Sequence, residues 1–276
     1  MNSTTTLTDR FVQSVGRHFV TLSCIQIAQD QKQQFTRVFS GFMVEISEEW
    51  FYVTAGHILR DVRKAVDAGS TFDIWRLGDQ MAGNSFDNKA VPFFFDEDKW
   101  CVLEDEAIGL DYATVHIGGL YRQQLEAGGV TAIAKNAWFD HVTDHDDWAL
   151  VGIPSESVSY DGESVISARV VVAPLTQTDA PPTAEAKAKN QFYAKLNVGS
   201  EDFVIDIDGM SGGPIFMLKQ MNGAWRYGII GVQSGWYPQS RVIAACPFKI
   251  FANELEPIVE EALRSTRNVT NSPSTV

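Results

Sequence analysis

The stretch Asp208-Gly209-Met210-Ser211-Gly212-Gly213-Pro214, set between the apolar runs Phe203 to Ile207 and Ile215 to Leu218, constrains this chain more than any other feature. It reads as a tight turn presenting one serine. A serine hydroxyl is a weak nucleophile at neutral pH, so it needs a base for its proton and fixed donors for the oxyanion that its attack creates. Glycines help with the second need. Without a Cβ, Gly209 can turn its own N–H and that of Ser211 toward one point, while Gly212 and Gly213 let a substrate carbonyl approach.

The order of the other reactive residues narrows the fold. The letters Gly209-x-Ser211-x-Gly213 also satisfy the nucleophile elbow of α/β-hydrolases, but that arrangement needs its histidine after the serine. All five histidines (His18, His57, His116, His141 and His145) precede Ser211. A subtilisin-like order would need its acid before His57, where only Asp9 and Asp30 stand, both in polar surroundings. The remaining order is His, Asp, Ser.

At 276 residues and 45% hydrophobic content the chain is long enough for one large domain or two barrels sharing a core. Its formal net charge of −13, with no basic run, excludes nucleic acid and anionic membrane as expected partners. Three widely spaced cysteines (Cys24, Cys101 and Cys246), each in apolar sequence, are read as reduced, buried thiols. The polar start, Met1 to Arg10, leads into no signal-peptide core, and nowhere do 18 apolar residues run together. The expectation is a soluble cytoplasmic protein.

Along the chain, Thr8-Asp9 offers a cap for a short leading helix with Phe11, Val12, Val15 and Phe19 on one face. Strands are expected over 19–28, 37–46 and 50–54, the last two joined at Ser47-Glu48-Glu49 and delivering Thr54-Ala55-Gly56-His57. Ile58, Val62 and Val66 then predict a helix ending at Gly69. Further strands follow at 71–77, 92–95, 100–103 and 110–117, with a surface loop over 78–89. A link, 118–129, leads to strands at 148–153, 164–173, 191–196, 202–207, 214–218, 227–233 and 241–246. Thr176 to Asn190, rich in Pro, Ala, Thr and Lys, is expected to be a long mobile surface loop and the place for regulatory contact or self-cleavage. Residues 250–267 read as an amphipathic helix facing inward through Phe251, Leu255, Ile258 and Leu263, followed by a polar tail. Many short strands with few helices mean an all-β barrel or sandwich.

Three motifs together carry a resemblance. Thr54-Ala55-Gly56-His57, Asp111-Tyr112-Ala113 and Gly209-Met210-Ser211-Gly212-Gly213-Pro214 resemble the base, acid and nucleophile motifs of chymotrypsin-fold, trypsin-like serine peptidases. Their spacings are 54 and 100 residues, and the similarity covers residues 19 to 266. The resemblance implies two antiparallel six-stranded β-barrels with the active site between them, a short N-terminal helix and a C-terminal helix. In that reading residues 1–18 are a helical extension, 19–125 the barrel carrying His and Asp, 126–250 the barrel carrying Ser, 251–267 the last helix and 268–276 a tail. It implies that Ser211 attacks, His57 is the base, Asp111 orients it, and Gly209 and Ser211 form the oxyanion hole. Ser234, in Gly231-Val232-Gln233-Ser234-Gly235, matches the serine that lines the substrate strand and supports the buried aspartate.

Departures from the family are informative. Secreted relatives carry an aspartate before the serine, to pair with a new N-terminus after zymogen cleavage; Met210 cannot do that. Six residues before Ser211 stands Ile205, and with Gly235 and Trp236 it implies a shallow apolar pocket for small or medium uncharged side chains. Asp206 and Asp208 are close enough that a one-residue displacement reverses that preference, and Asp208 is kept as a substrate-contacting candidate. No cofactor is expected. The partners expected are a protein or peptide substrate and a regulatory protein.

Other readings stay open. Asp111 alone could merely end a strand, and Ser211 alone could be a turn residue; it is their order with His57 that carries the signal. His141 and His145, among Asp140, Asp144, Asp146 and Asp147, have HxxxH spacing, but without an apolar helical face to orient both rings they are read as a solvated acidic loop. His116 is read as structural, and Trp75, Trp100, Trp148 and Tyr112 as core aromatics. A protease-like fold serving only as a binding module, or an esterase with the same triad, remain alternatives.

Overall fold

The structure, a computed structural model, describes residues 6–30, 33–78, 90–142, 147–160, 166–197 and 206–270. Among the described residues it is all-β with four α-helices. Helix α1 (Leu7–Gly16) begins two residues earlier than the cap expected, because Thr6 accepts the Asp9 N–H while the Asp9 carboxylate takes the Thr6 N–H, a reciprocal capping box.

The N-terminal half holds β1 (Thr21–Ile27), β2 (Gln34–Phe39), β3 (Phe42–Ile46), β4 (Glu49–Thr54), α2 (Gly56–Asp67), β5 (Thr71–Gly78), β6 (Val91–Pro92), β7 (Trp100–Asp105), β8 (Leu110–His116) and α3 (Gly119–Ala127). The β3–β4 hairpin turns at Ser47 and Glu48, both with positive φ (52° and 69°), the two-residue geometry whose twist matches the flanking strands. Helix α3 falls in the stretch expected to be a plain link. Its one fully buried residue is Leu125, so its apolar signal is slight.

Two four-stranded sheets result, in the orders β2-β1-β5-β6 and β3-β4-β8-β7. They meet along one seam, where Phe19 bridges Phe42 and the Met43 N–H donates to His18 O at 2.8 Å. Between them lie Leu22, Met43, Tyr52, Leu77 and Trp100. The barrel expected here does not close among the described residues. Strand β6 is two residues long, so nothing carries the β5 edge across to β7.

The C-terminal half is the closed six-stranded barrel expected. Its strands are β9 (Asp147–Gly152), β12 (Val171–Thr178), β13 (Phe192–Leu196), β14 (Pro214–Met221), β15 (Ala224–Tyr237) and β16 (Val242–Pro247), in the order β12-β13-β16-β15-β14-β9. A small hairpin of β10 (Ser159–Tyr160) and β11 (Ile166–Ser167) stands outside it. The expected strand over 202–207 falls mostly outside the described residues, and Asp206 and Ile207 are not in a strand. The stretch 176–190 is not a long loop. Strand β12 continues to Thr178, residues 182–187 form a 3₁₀ turn, and Ala184 is fully buried, its carbonyl accepting from Tyr193 Oη.

Helix α4 (Phe248–Thr270) joins the halves. Phe248, Phe251, Ala252, Leu255 and Val259 recur at helical spacing and share one core with Phe42 and Val53 of the first half and Ile153 and Phe216 of the second. Phe251 stacks on Tyr112 with ring centroids 4.5 Å apart, and Tyr112 Oη donates to Pro247 O. Ile258, expected on the inner face, is 63% exposed; Val259 takes its place. Phe251→Ala removes a buried ring from this shared core and is expected to cost about 3–5 kcal/mol. Denaturant unfolding checks this, and a loss near zero would mean that α4 does not hold the halves together.

Candidate active site

The chain brings His57 and Asp111 together through the ends of β4 and β8. Strand β4 ends at Thr54, whose buried hydroxyl donates to Ser40 O at 2.8 Å, and α2 starts two residues on. Gly56 lies so close to β8 that a Cβ there would be 3.0 Å from Tyr112 O and 3.1 Å from Asp111 Oδ1. That approach lets Asp111 accept twice from His57: the backbone N–H on Oδ1 and ring Nδ1 on Oδ2, both at 2.7 Å. With Nδ1 as the donor, Nε2 is left to accept a proton.

Burial shapes both groups. Desolvation pulls the His57 pKa down, but the hydrogen bond and charge of Asp111 outweigh it, and the net shift is upward from 6.5. For Asp111 burial favours the neutral acid, and the hydrogen bonds and charge of His57, with a hydrogen bond from Ser234, reverse that, so its pKa falls below 3.8. On the far side of the pair Arg60 meets Glu104, and these line a pocket of about 200 Å³ with Ser234 and Gln191.

The serine turn is built by opposed constraints. Gly209 and Gly212 have φ of +86° and +84°, a region that side chains rarely adopt. At Gly212 a Cβ would sit 2.0 Å from Thr54 Oγ1 and 2.5 Å from Ser40 O, so the turn is wedged against the strand end that delivers His57. Its amides are spoken for with two exceptions. Asp208 donates to Asp206 Oδ1, Met210 to Ile207 O, Gly212 to Gln233 O and Gly213 to Met210 O. Among the described residues Gly209 and Ser211 donate to nothing. The Asp208 carbonyl is held by the Ser155 N–H at 2.7 Å, and across a trans peptide the Gly209 N–H must point the opposite way. The Ser40 hydroxyl, which accepts from the Ile153 N–H, donates to Gly209 O at 3.5 Å.

Ser211, His57, Asp208 and Gly209 line one cleft of about 730 Å³, whose walls include Ile58 and Asp61 of α2, residues 34–39 and Ser155. Among the described residues no hydrogen bond joins Ser211 to His57. Apo sites often leave this contact open until substrate binds.

The remaining candidates separate. Ser234 sits beside Asp111 and not in the cleft; Gly235 and Trp236 do not line the cleft either, and Trp236 packs on the barrel core. Ile205 lies outside the described residues, as do His145, Asp144 and Asp146. His141 stacks on Phe192, and Asp140 pairs with Lys249. His116 pairs with Glu49 at the surface. Cys24 and Cys246 are buried and unpaired as expected, whereas Cys101 is exposed on the β7 edge strand. Among the described residues no helix is long and apolar enough to cross a membrane. Sequence reasoning missed Ser40, Ser155 and Gln191, common polar residues whose partners stand 43 to 169 positions away in the chain.

No family model and no curated protein matches the sequence. Among solved structures it is similar to a thermostable serine protease, AL20, from an extremophilic microorganism, at 16% identity over 85% of this chain and 93% of that one, with a TM-score of 0.46. It is similar to protease Anisep from Arthrobacter nicotinovorans at 18% identity over 84% and 90%, TM-score 0.44. A scabies mite inactivated protease paralogue, S-I1, aligns at 13% identity over 91% and 96%, TM-score 0.49.

The His57–Asp111 pair sets a pH dependence. The raised pKa of His57 contributes stability that is present below about 6.5 and lost as pH rises through the folded value. The lowered pKa of Asp111 contributes stability present above about 3.8 and lost as pH falls through its folded value. In Asp111→Asn the partner that outweighs burial is gone, and burial, with the Arg60 charge, outweighs the Asp61 charge, so the ring midpoint is expected to move from above 6.5 to below it. NMR titration of the His57 ring reads this directly, and an unmoved midpoint would contradict the assigned cause.

Proposed function

We propose that this chain is a serine endopeptidase that cleaves peptide bonds through Ser211, His57 and Asp111 and an acyl-enzyme intermediate. One observation supports the reading: Ser211, His57 and Gly209 line one cleft, and among the described residues the Gly209 and Ser211 amides have no acceptor. In the first step His57 Nε2 takes the Ser211 proton as Oγ bonds to the scissile carbonyl carbon. The carbonyl electron pair moves to oxygen, where the two amides receive it. Collapse breaks the C–N bond, and the imidazolium gives its proton to the leaving amine. Water then repeats the sequence on the acyl-enzyme and frees Ser211. Asp111 stays ionised throughout, holding Nδ1–H and stabilising the imidazolium.

Met210, fully buried and packed against Gly152, supports an enzyme that needs no N-terminal cleavage and is active as made or switched by a protein partner. Three unpaired thiols, one of them exposed, support a reducing, cytoplasmic setting. The open contact between Ser211 and His57 favours a second reading, a protease-like module that binds peptide without cleaving it.

A fluorophosphonate probe separates the two. Wild-type protein is expected to label, with labelling lost in Ser211→Ala and His57→Ala. Folded but unlabelled wild type would sink the peptidase reading. Because the base must be neutral to act, kcat/KM on a peptide substrate is expected to rise with pH about a midpoint above 6.5.

A further inference from the structure

At the far end of the strand that holds the serine turn, Arg241 combines two unfavourable features. It stands in the turn between β15 and β16 at φ +54°, in the left-handed region that side chains disfavour and glycine tolerates. Its main chain is held: the N–H donates to Pro238 O at 3.2 Å, and the carbonyl accepts from the Leu196 N–H at 3.0 Å. Its side chain is not. Nε and Nη2 are buried, and among the described residues neither has a hydrogen-bond partner. A charge taken out of water and left unpaired is among the least favourable groups a fold can carry, and strain kept at the same residue points to function.

Strand β15 relates this residue to the site. It is tied to the serine turn at Gln233, whose N–H donates to Gly213 O and whose carbonyl accepts from the Gly212 N–H. The strand then runs through Trp236 to Tyr237, which pairs with Val242 beside Arg241, roughly 13 Å from Gln233 at about 3.3 Å per residue. An arginine arm from one end and a glutamate side chain from the other together span that distance. Trp236, between the two, packs in one core with Ile243 and with Ile207 and Met210, which lead into Ser211. Its Nε1 is another buried donor without a partner; Gln233 Oε1, at the serine-turn end, is a buried acceptor and takes no part in holding an anion. In the proposed reaction His57 gives its proton to the leaving amine, so the amine side of a substrate lies along the cleft that His57 lines with α2 and residues 34–39. The acyl side lies the other way, over β15. Asp208 lines the cleft, Asp206 is exposed and accepts from the Asp208 N–H, and neither meets the buried nitrogens of Arg241.

We infer that Arg241 is a specificity-determining residue that receives an acidic side chain, glutamate or aspartate, on the substrate residue whose carbonyl Ser211 attacks. The inference rests on the peptidase reading and departs from the small, uncharged side chain expected from Ile205 and Trp236. The chemistry of the donors selects the ligand. A guanidinium presents a planar fork of N–H groups, and a carboxylate offers two oxygens in the matching geometry. A glutamine side chain has nearly the same shape but turns an NH₂ toward the fork, which leaves a buried donor unpaired, and a lysine brings like charge. Arg241 as a whole is only part-buried, so the fork is approached from its open side.

The test compares hydrolysis of acetyl-Ala-Ala-Xaa coumarin amides, with Xaa glutamate, aspartate, glutamine, alanine or lysine, by wild type and Arg241→Gly. Glycine suits the positive φ, so this variant is expected to fold; should it not, Arg241→Gln takes its place. The expected result is a kcat/KM for the acidic substrates about 10- to 100-fold above that for glutamine, falling to parity in the variant. Equal rates on glutamate and glutamine by wild type, or an acid preference that survives the substitution, would overturn the inference. A second readout needs no turnover: the Arg241 Nε–H resonance, followed by NMR as acetyl-Ala-Ala-Glu amide, its glutamine counterpart or sulfate is added. A shift with the glutamate peptide and not with the glutamine one is expected. A shift with sulfate but not with the glutamate peptide would mean a site for small inorganic anions and would overturn the inference as well. Wild type that takes no fluorophosphonate label yet shows the glutamate-dependent shift would remove the peptidase reading and leave Arg241 as the recognition residue of a peptide-binding module. Wild type that labels but ignores the acid would do the reverse.

Discussion

The pair of hydrogen bonds that Asp111 accepts from the backbone and ring of His57 is the constraint on which the rest of the site depends. A buried carboxylate and a half-buried imidazole each lose hydration, and burial alone disfavours the charge on both. Together they raise one pKa and lower the other, against burial in both cases. The arrangement is possible only because Gly56 lets the start of α2 press against β8 and because β4 and β8 are hydrogen-bonded neighbours. A Cβ at position 56 would crowd Tyr112 O and Asp111 Oδ1 and force one of these neighbours to shift by a few tenths of an ångström.

The serine turn is held to the same strand end from the other half of the molecule. Gly212 fits against Thr54 and Ser40, Gly213 against Val151 O, and Ser155 fixes the Asp208 carbonyl. Two elements far apart in the chain thus meet at the end of β4, one bringing His57 and one Ser211. Helix α4 sits across this junction and buries its apolar face in a core drawn from both halves. The cleft therefore lies at a junction whose packing α4 shares between both halves.

Much of this was legible in the sequence where the signal is local. The alternation of Leu110 to Ile117, the spacing of Ile58 and Val62, and the glycines around Ser211 each marked its element, and the His57 and Asp111 motifs marked two residues that the fold does bring into hydrogen-bond contact. What failed to show was set by distant contacts. Whether the first sheets close depends on how long β6 is and not on its neighbours' hydrophobicity. Ile258 and Val259 are equally apolar, and only the angle at which α4 crosses the core decides between them. Trp236 lies near the serine strand in sequence, yet the bulge between Gln233 and Gly235 and its packing on the barrel core take it away from the cleft. Gln191 had no local mark at all, because a buried glutamine is recognisable only by partners that the fold supplies.

As proposed, the site is assembled well enough to transfer an acyl group to Ser211. Exposure to an activated nitrophenyl ester at a pH where deacylation is slow, followed by intact mass measurement and peptide mapping, tests it most directly. One acyl group per chain, on the peptide containing Ser211, is the result predicted. No adduct, or one confined to Cys101 or to lysines, would contradict the claim and mean that the turn, however closely placed to His57, does not act as a nucleophile.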